Sequence, residues 1–260
     1  MVKIGIIGGT GVDDPNILKN VEYLRQTTPY GNPSDVITHG FLDSQEVFIL
    51  PRHGSKHTIN PTHVNYRANI HALKQLGVTH ILAPSAVGSL KEEILPGDIV
   101  FTDQFIDRTF ARKNTFYDKE QVCHISVAEP TCEALRKIAI QETRKINYTF
   151  HEKGTIVVIE GPRFSTKAES KMYQKLGADI IGMTMVPEAV LAREAEMCYL
   201  PIALVTDYDV WKESHVTLDE VLKTMKNNND KIKKLLLAVI PNIPAERSCP
   251  CKTALSGALI

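Results

Sequence analysis

Several features are scarce in this 260-residue sequence, and each scarcity removes a class of function. There is no excess of charge of either sign: Lys+Arg and Asp+Glu both number 30. No global field therefore draws the chain to nucleic acid or to an anionic membrane surface. No apolar run approaches the ~18 residues that a membrane-spanning helix needs. The opening "MVKIGIIGG" runs straight into a strand-like segment and lacks the long apolar core and small-residue cleavage site of a secretory signal. The pattern G-x-x-x-x-G-K-[ST] is missing, which excludes a P-loop. A dinucleotide fingerprint begun at Gly9 fails at Asp14. Internal repeats, low-complexity segments and a convincing linker are also missing. These absences lead us to expect a soluble, cytoplasmic protein that binds neither nucleic acid nor membrane.

Cysteine, by contrast, is present five times. Cys123, Cys132 and Cys198 are scattered, and Cys249 and Cys251 form "CPC" near the C-terminus. A Cys-x-Cys without a second Cys/His pair nearby is a weak metal signal, so no metal site is expected. Reduced thiols are the default without secretion, and disulfides are the recognised exception in hyperthermophiles. We take an oxidised pair as the working expectation. Cys132, near a helix start, and Cys198, where a helix meets a strand, form the first candidate bridge. Cys249–Cys251 is a local alternative.

With hydrophobic residues at 43%, the chain can bury a sizeable core. Strand-like runs alternate with helical patterns. "KIGII" comes first, and residues 35–50 read as two strands around a turn at Asp43-Ser44. A helix is expected over 63–77, with Pro61 suiting its first turn and Gly77 its stop. "VTHILA" and "GDIVFT" read as strands. Helices are expected over 129–146, 166–176, 186–197 and 218–240, with strands over 155–160, 178–183 and 199–207. This alternation implies an α/β fold: a single domain with a central mixed β-sheet flanked by helices. The domain spans residues 1–240. Residues 241–260, with Pro241, Pro244 and Pro250, read as a tail.

In open α/β sheets, ligands bind beyond the carboxyl ends of strands. Those positions carry "GGTG" (8–11), "PRHGSKH" (51–57), "PSAVGSL" (84–90), "EGPRFST" (160–166), "GMTMVPE" (182–188) and "TDYD" (206–209). Glycines around Thr10 let backbone N–H groups converge on an anion. Arg52 offers a planar fork suited to phosphate oxygens, His53 a nearby ring donor, and Ser85 and Thr184 hydroxyls. Each loop alone reads equally well as an ordinary turn. Four donor-rich loops that each follow a strand favour a phosphate site.

Asp207 and Asp209 end the apolar run "IALVT". Carboxylates there are costly to desolvate without a partner. Capping of the next turn is one explanation. Recognition of a group with adjacent acceptor and donor nitrogens is another, and the N7/N6 edge of adenine is such a group. Two close, buried carboxyls favour holding one proton between them, and protonating N7 makes adenine a better leaving group.

On these motifs the sequence resembles the trimeric-type purine nucleoside phosphorylase family, and within it the branch acting on 5′-methylthioadenosine. The similarity runs through "VKIGIIGGTG", "RHG", "GSLKEEILPGDIVFTDQFIDRT", "EGPRFST", "VPEAVLA" and "TDYDVWKE", and covers essentially residues 1–240. The resemblance implies that Thr10, Arg52, His53, Ser85, Ala86 and Thr184 bind phosphate. It places Met183 against the ribose, Phe164 by the base or sugar, and Asp207 and Asp209 on the purine, with Asp207 the general acid at N7. Ser165 would help choose adenine over 6-oxopurines. Leu218, Val221 and Leu222 would wall the alkylthio group. His57 and His124 would lie near the 5′ end, His124 from a neighbouring subunit of a homo-oligomer, a trimer or a hexamer.

The implied reaction is phosphorolysis of methylthioadenosine, with adenosine as a further substrate, orthophosphate as co-substrate and no cofactor. Two other readings stand beside it. One is a phosphorylase of inosine and guanosine, which would want an amide rather than two aspartates at 207 and 209. The other is a non-catalytic adenine nucleoside-binding protein.

Overall fold

In the computed structural model, residues 2–8, 17–212 and 218–260 are described, those at 218–223 and 225 by backbone only. Eleven strands share one mixed sheet. Its spine is β5 (His80–Ser89), a run of ten residues that outlasts the expected "VTHILA". β5 runs parallel along β11 (Cys198–Asp207) over nearly its whole length. Its other edge is shared. At His80–Leu82 it pairs with β1 (Lys3–Gly8), and at Gly88–Ser89 with β10 (Ile180–Gly182), antiparallel. Between those contacts the sheet divides.

On the β1 side lie β4 (Gln45–Pro51), β3 (Ile37–Leu42) and β2 (Lys19–Leu24). β3 and β4 form the hairpin expected around Asp43, which takes the left-handed backbone such a turn needs, φ +52°. On the β10 side lie β9 (Thr155–Ile159) and β7 (Gln104–Arg108). The two-residue strands β6 (Ile99–Val100) and β8 (Phe150–His151) extend the β11 edge. β2, β7 and β8 were not expected: "KNVEYL" is exposed up to its last residue, Leu24, so it shows no alternation to read.

Helices cover both faces. α1 (Tyr66–Gln75) and α4 (Met185–Glu194) pack together on one side. α2 (Glu133–Lys145) and α5 (Leu218–Val239) pack on the other, both against β11. α3 (Lys167–Lys175) begins with a reciprocal Thr166–Glu169 capping box, which sets its start at the expected residue. Two expected starts move. α1 begins after Asn65, whose side chain accepts from Ala68 N–H, so Pro61 lies outside the helix. α2 begins at Glu133, after Cys132, rather than at 129.

The C-terminal stretch is folded onto the domain. Cys251 and Ala258 are buried, Val122 exchanges backbone hydrogen bonds with Ile260, and the His124 N–H donates to the Ala258 carbonyl. The expected Cys132–Cys198 and Cys249–Cys251 disulfides are not formed, and all five cysteines are free thiols. The reason is convergence: Cys132, Cys198, Cys249 and Cys251 meet in one cluster instead of pairing off.

One charged pair is enclosed where the sheet divides. Arg52, just beyond β4, is 1% exposed, and Glu188, on α4, is fully buried. Arg52 Nε donates to Glu188 Oε2 at 2.7 Å and Nη2 to Oε1 at 2.9 Å. Nη2 also donates to the Ile7 carbonyl and Nη1 to the Pro84 carbonyl, so the guanidinium bridges β1 and β5 where they part. The Tyr199 hydroxyl donates to Glu188 Oε1 at 2.8 Å. Burial alone would lower the Arg52 pKa, but the Glu188 charge outweighs it and the pKa is raised. Removing one member of a buried pair strands the other and costs about 3–5 kcal/mol. Glu188→Gln keeps the shape and loses the charge. We expect it to destabilise by about 3 kcal/mol, a fall in thermal midpoint of roughly 6–12 °C for a chain of this size. Calorimetry tests this, and an unchanged midpoint would mean that the pair is not holding the divided sheet.

Candidate active site

A cavity of about 410 Å³ opens at the division. From the expected phosphate set it is lined by Arg52, His53, Ser85, Ala86 and Thr184. Met183, Phe164, Ser165, His57, Asp207 and Asp209 line it too. Thr10 lies outside the described residues, as do the side chains of Leu218, Val221 and Leu222, whose backbone opens α5. His124 is not among the lining residues; its N–H donates to the Ala258 carbonyl.

The anion-binding end differs from the expectation in two ways. Arg52 is not a bare cation, because Glu188 neutralises it. Four of its five N–H donors are already engaged inside the protein, which leaves one on Nη1. The His53 ring does not offer its donor to an anion. Burial, then the charge of Arg52, lowers its pKa to about 4, so the ring is neutral at ordinary pH. Its Nδ1 lies 2.8 Å from the Ile59 carbonyl, which can only accept, so Nδ1 carries the hydrogen and Nε2 keeps a lone pair. Ser85 and Ala86 sit on β5 between its contacts with β1 and β10. Thr184 sits at the N-cap of α4 and makes no side-chain cap bond, so its hydroxyl is not committed to the helix.

At the other end, the β5–β11 register slips between Val205 and Asp207, which sets Asp207 opposite Gly88. Such a bulge re-aims a strand-end side chain. A Cβ at Gly88 would lie 3.0 Å from Asp207 Oδ1 and 3.3 Å from Asp209 Cβ, so glycine leaves the space both aspartates occupy. Asp207 Oδ2 accepts from the Thr206 hydroxyl and Oδ1 from the Asp209 N–H, each at 2.7 Å. Asp209 has left-handed backbone, φ +50°, and its side chain is buried. Burial, reinforced by the Asp207 charge, raises its pKa. Asp209 Oδ2, Ser165 Oγ and Asn229 Oδ1 line this cavity, are buried, and have no hydrogen-bond partner among the described residues. Buried polar atoms without partners are uncommon, and three residues that carry them line this one cavity.

Several contributors were not visible in sequence. Arg112 lies in the loop after β7, its side chain 1% exposed. It donates to the carbonyls of Met183, Val186 and Glu160 at 2.5–2.6 Å and reaches Glu160 Oε1 at 3.2 Å. It thus ties the loop after β9 to the loop after β10. Burial would raise the Glu160 carboxyl, but N–H donors from Phe110 and Ala111 and the Arg112 charge bring it below its usual value. Gly161 has φ +68°, and a Cβ there would lie 2.7 Å from Met183 Sδ, so it permits the close approach of the same two loops. Lys226 and Asn229 of α5 also face the cavity. The signal for Glu188 was a lone acid in the apolar run "VPEAVLA". Arg112 gave none.

The chain is similar to known proteins over its full length. The model of the Phosphorylase superfamily matches residues 3–241. S-methyl-5′-thioadenosine phosphorylase of Thermofilum pendens is 55% identical over 259 residues, covering 100% of this chain and 99% of the relative. The enzyme of that name from Pyrococcus horikoshii is 53% identical over 255 residues, 98% of each chain. Among solved structures, methylthioadenosine phosphorylase from Schistosoma mansoni in complex with adenine superposes with a TM-score of 0.94 at 43% identity, covering 99% of both chains. A mutant of the Schistosoma mansoni adenosine/methylthioadenosine phosphorylase in complex with methylthioadenosine gives 0.93 at 44%, covering 99% of this chain and 97% of that one. The chain belongs to the phosphorylase superfamily.

Proposed function

We propose that the protein is a pentosyltransferase that cleaves 5′-methylthioadenosine with orthophosphate, giving adenine and 5-methylthioribose 1-phosphate. The observation that carries this reading is one cavity holding both an anion-donor set and two neighbouring carboxyls, Asp207 and the buried Asp209, whose Oδ2 has no hydrogen-bond partner among the described residues. The names of the full-length relatives support the same substrate. Phosphate sits at Arg52 Nη1, the Ser85 and Thr184 hydroxyls and the Ala86 backbone, with Thr10 closing over it. His53 Nε2 accepts from a phosphate hydroxyl. The ribose lies against Met183, and the adenine between Phe164, Ser165 and the aspartates. The methylthio group points toward His57 and the start of α5, where Leu218, Val221 and Leu222 form an apolar wall.

A phosphate oxygen attacks the anomeric carbon as the bond to N9 breaks. The electron pair moves onto adenine, and Asp207 delivers a proton to N7 from the proton that it and Asp209 hold between them. Asp209 holds the 6-amino edge. Catalysis is positioning plus electrostatics, and the chemistry calls for no cofactor. An inosine or guanosine substrate is not favoured, because O6 and N1–H would face two carboxyls. An apolar pocket rejects an added hydroxyl by only ~100-fold, so adenosine is turned over as well.

The same reading includes a cytoplasmic homo-oligomer, a trimer or a hexamer. His124 stands outside this chain's cavity, on a segment with exposed apolar neighbours: Val122 is 51% exposed and Ile260 83%. A second copy covering that face would receive His124 near its 5′ pocket.

Adenine release from methylthioadenosine should require phosphate; equal rates in phosphate-free buffer would identify a hydrolase instead, and binding without turnover a non-catalytic protein. Asp207→Asn should lower kcat by ~10²–10⁴-fold and move relative preference toward 6-oxopurines, since an amide can donate to O6. Wild-type kcat in that variant would leave the aspartate as a turn cap. Activity should fall as pH rises through the upper titration of the pair. Asp209→Asn removes one carboxylate charge, so the alkaline limb should move to lower pH. A limb that stays in place would separate Asp209 from the proton.

A further inference from the structure

The cavity leaves one buried set of reactive groups unused. Cys132, Cys198, Cys249 and Cys251 bring four Sγ atoms within 4.8 Å of one another. Three are buried and Cys249 is half-buried. They come from three parts of the chain: the N-cap of α2, the first residue of β11, and the turn that opens the last 3₁₀ helix. The backbone fixes two of them firmly, because Cys132 N–H donates to the Tyr199 carbonyl and Cys198 N–H to the Thr79 carbonyl, both at 2.9 Å. Cys132 makes no cap bond with its side chain, so its sulfur is free to point into the cluster.

Four thiolates at about 2.3 Å from a tetrahedral ion lie about 3.8 Å apart. The Cys198–Cys249 sulfurs are 3.3 Å apart, and the whole set lies inside 4.8 Å, which brackets that spacing. The surroundings also suit a site of net negative charge. Arg193 Nη1 reaches Cys251 Sγ at 3.6 Å, and the positive end of α2 begins at Cys132. In sequence, "CPC" lacks a second pair close by. The fold supplies that pair from 51 and more residues away, the separation of Cys198 from Cys249.

We propose that this cluster is a structural site for one soft divalent ion of the Zn²⁺ class, held by the four cysteine thiolates. On binding, the ion sheds its waters and the thiols release their protons; nothing is oxidised or reduced. The ion closes the C-terminal segment onto β11 and α2, and that segment carries Ala258 and Ile260, the backbone partners of Val122 and His124. The site thereby steadies the segment that bears His124.

Metal analysis of the full-length protein, purified under reducing conditions and given Zn²⁺ alone, should find about one zinc per chain. Replacement by Co²⁺ should give the intense visible bands and sulfur-to-metal charge transfer of a tetrahedral tetrathiolate. Cys249→Ser should alter that spectrum, and Cys123→Ser should leave it unchanged, since Cys123 is outside the cluster. Zinc should raise the thermal midpoint of the wild type and not of Cys249→Ser/Cys251→Ser. Folded wild-type protein with all its thiols reduced that takes up neither ion would overturn the proposal. So would stable disulfides among the four, found by mass under non-reducing conditions, with no metal uptake after reduction.

Discussion

The contact on which the molecule depends is the ion pair between Arg52 and Glu188. A sheet that divides exposes backbone carbonyls on the inner edges of the division, and buried carbonyls need donors. Arg52 provides them, donating to Ile7 on one branch and Pro84 on the spine. A guanidinium in that place needs a counter-charge, and α4 supplies Glu188, itself steadied by Tyr199. The cavity lies where the strands part, and the residue that spans the parted strands also lines it, with one N–H on Nη1 not engaged by these bonds.

The second constraint is space. Asp207 and Asp209 come within reach of one another because β11 slips by a residue at its end and because Gly88 leaves room across the ladder. A strand without the bulge would send its last carboxylate to the other face. The left-handed backbone at Asp209 completes the turn, so the amide of one aspartate donates to the carboxylate of the other. The pair is a built feature of the strand end.

Much of this was legible in the sequence, and the legible parts share a cause. Strand-terminal loops announce themselves by Gly, Ser, Thr and Arg after apolar runs, so Arg52, Ser85, Thr184 and the "TDYD" acids could be named before any fold was known. The partners of those residues could not. Glu188 is 136 residues from Arg52, and Arg112 is 48 from Glu160. Local periodicity carries no information on such pairings. The branching of β5 is invisible for the same reason, since a strand's sequence shows which face is apolar and not which neighbours share its edge. The ring-donor role of His53 was misread because its Nδ1 hydrogen is turned to the Ile59 carbonyl, a contact made only in the fold, and the cysteines because convergence of four is a property of the packed chain.

His53 has a consequence for which anions the site admits. Its ring is neutral, with Nδ1 committed to a carbonyl, so what it turns toward the cavity is a lone pair. A lone pair repels a fully deprotonated oxyanion and attracts one that still carries a hydroxyl. Phosphate and arsenate keep a proton at neutral pH, whereas sulfate keeps none. A phosphate bound as proposed would meet this ring through its hydroxyl, and a sulfate would have no hydrogen to offer it.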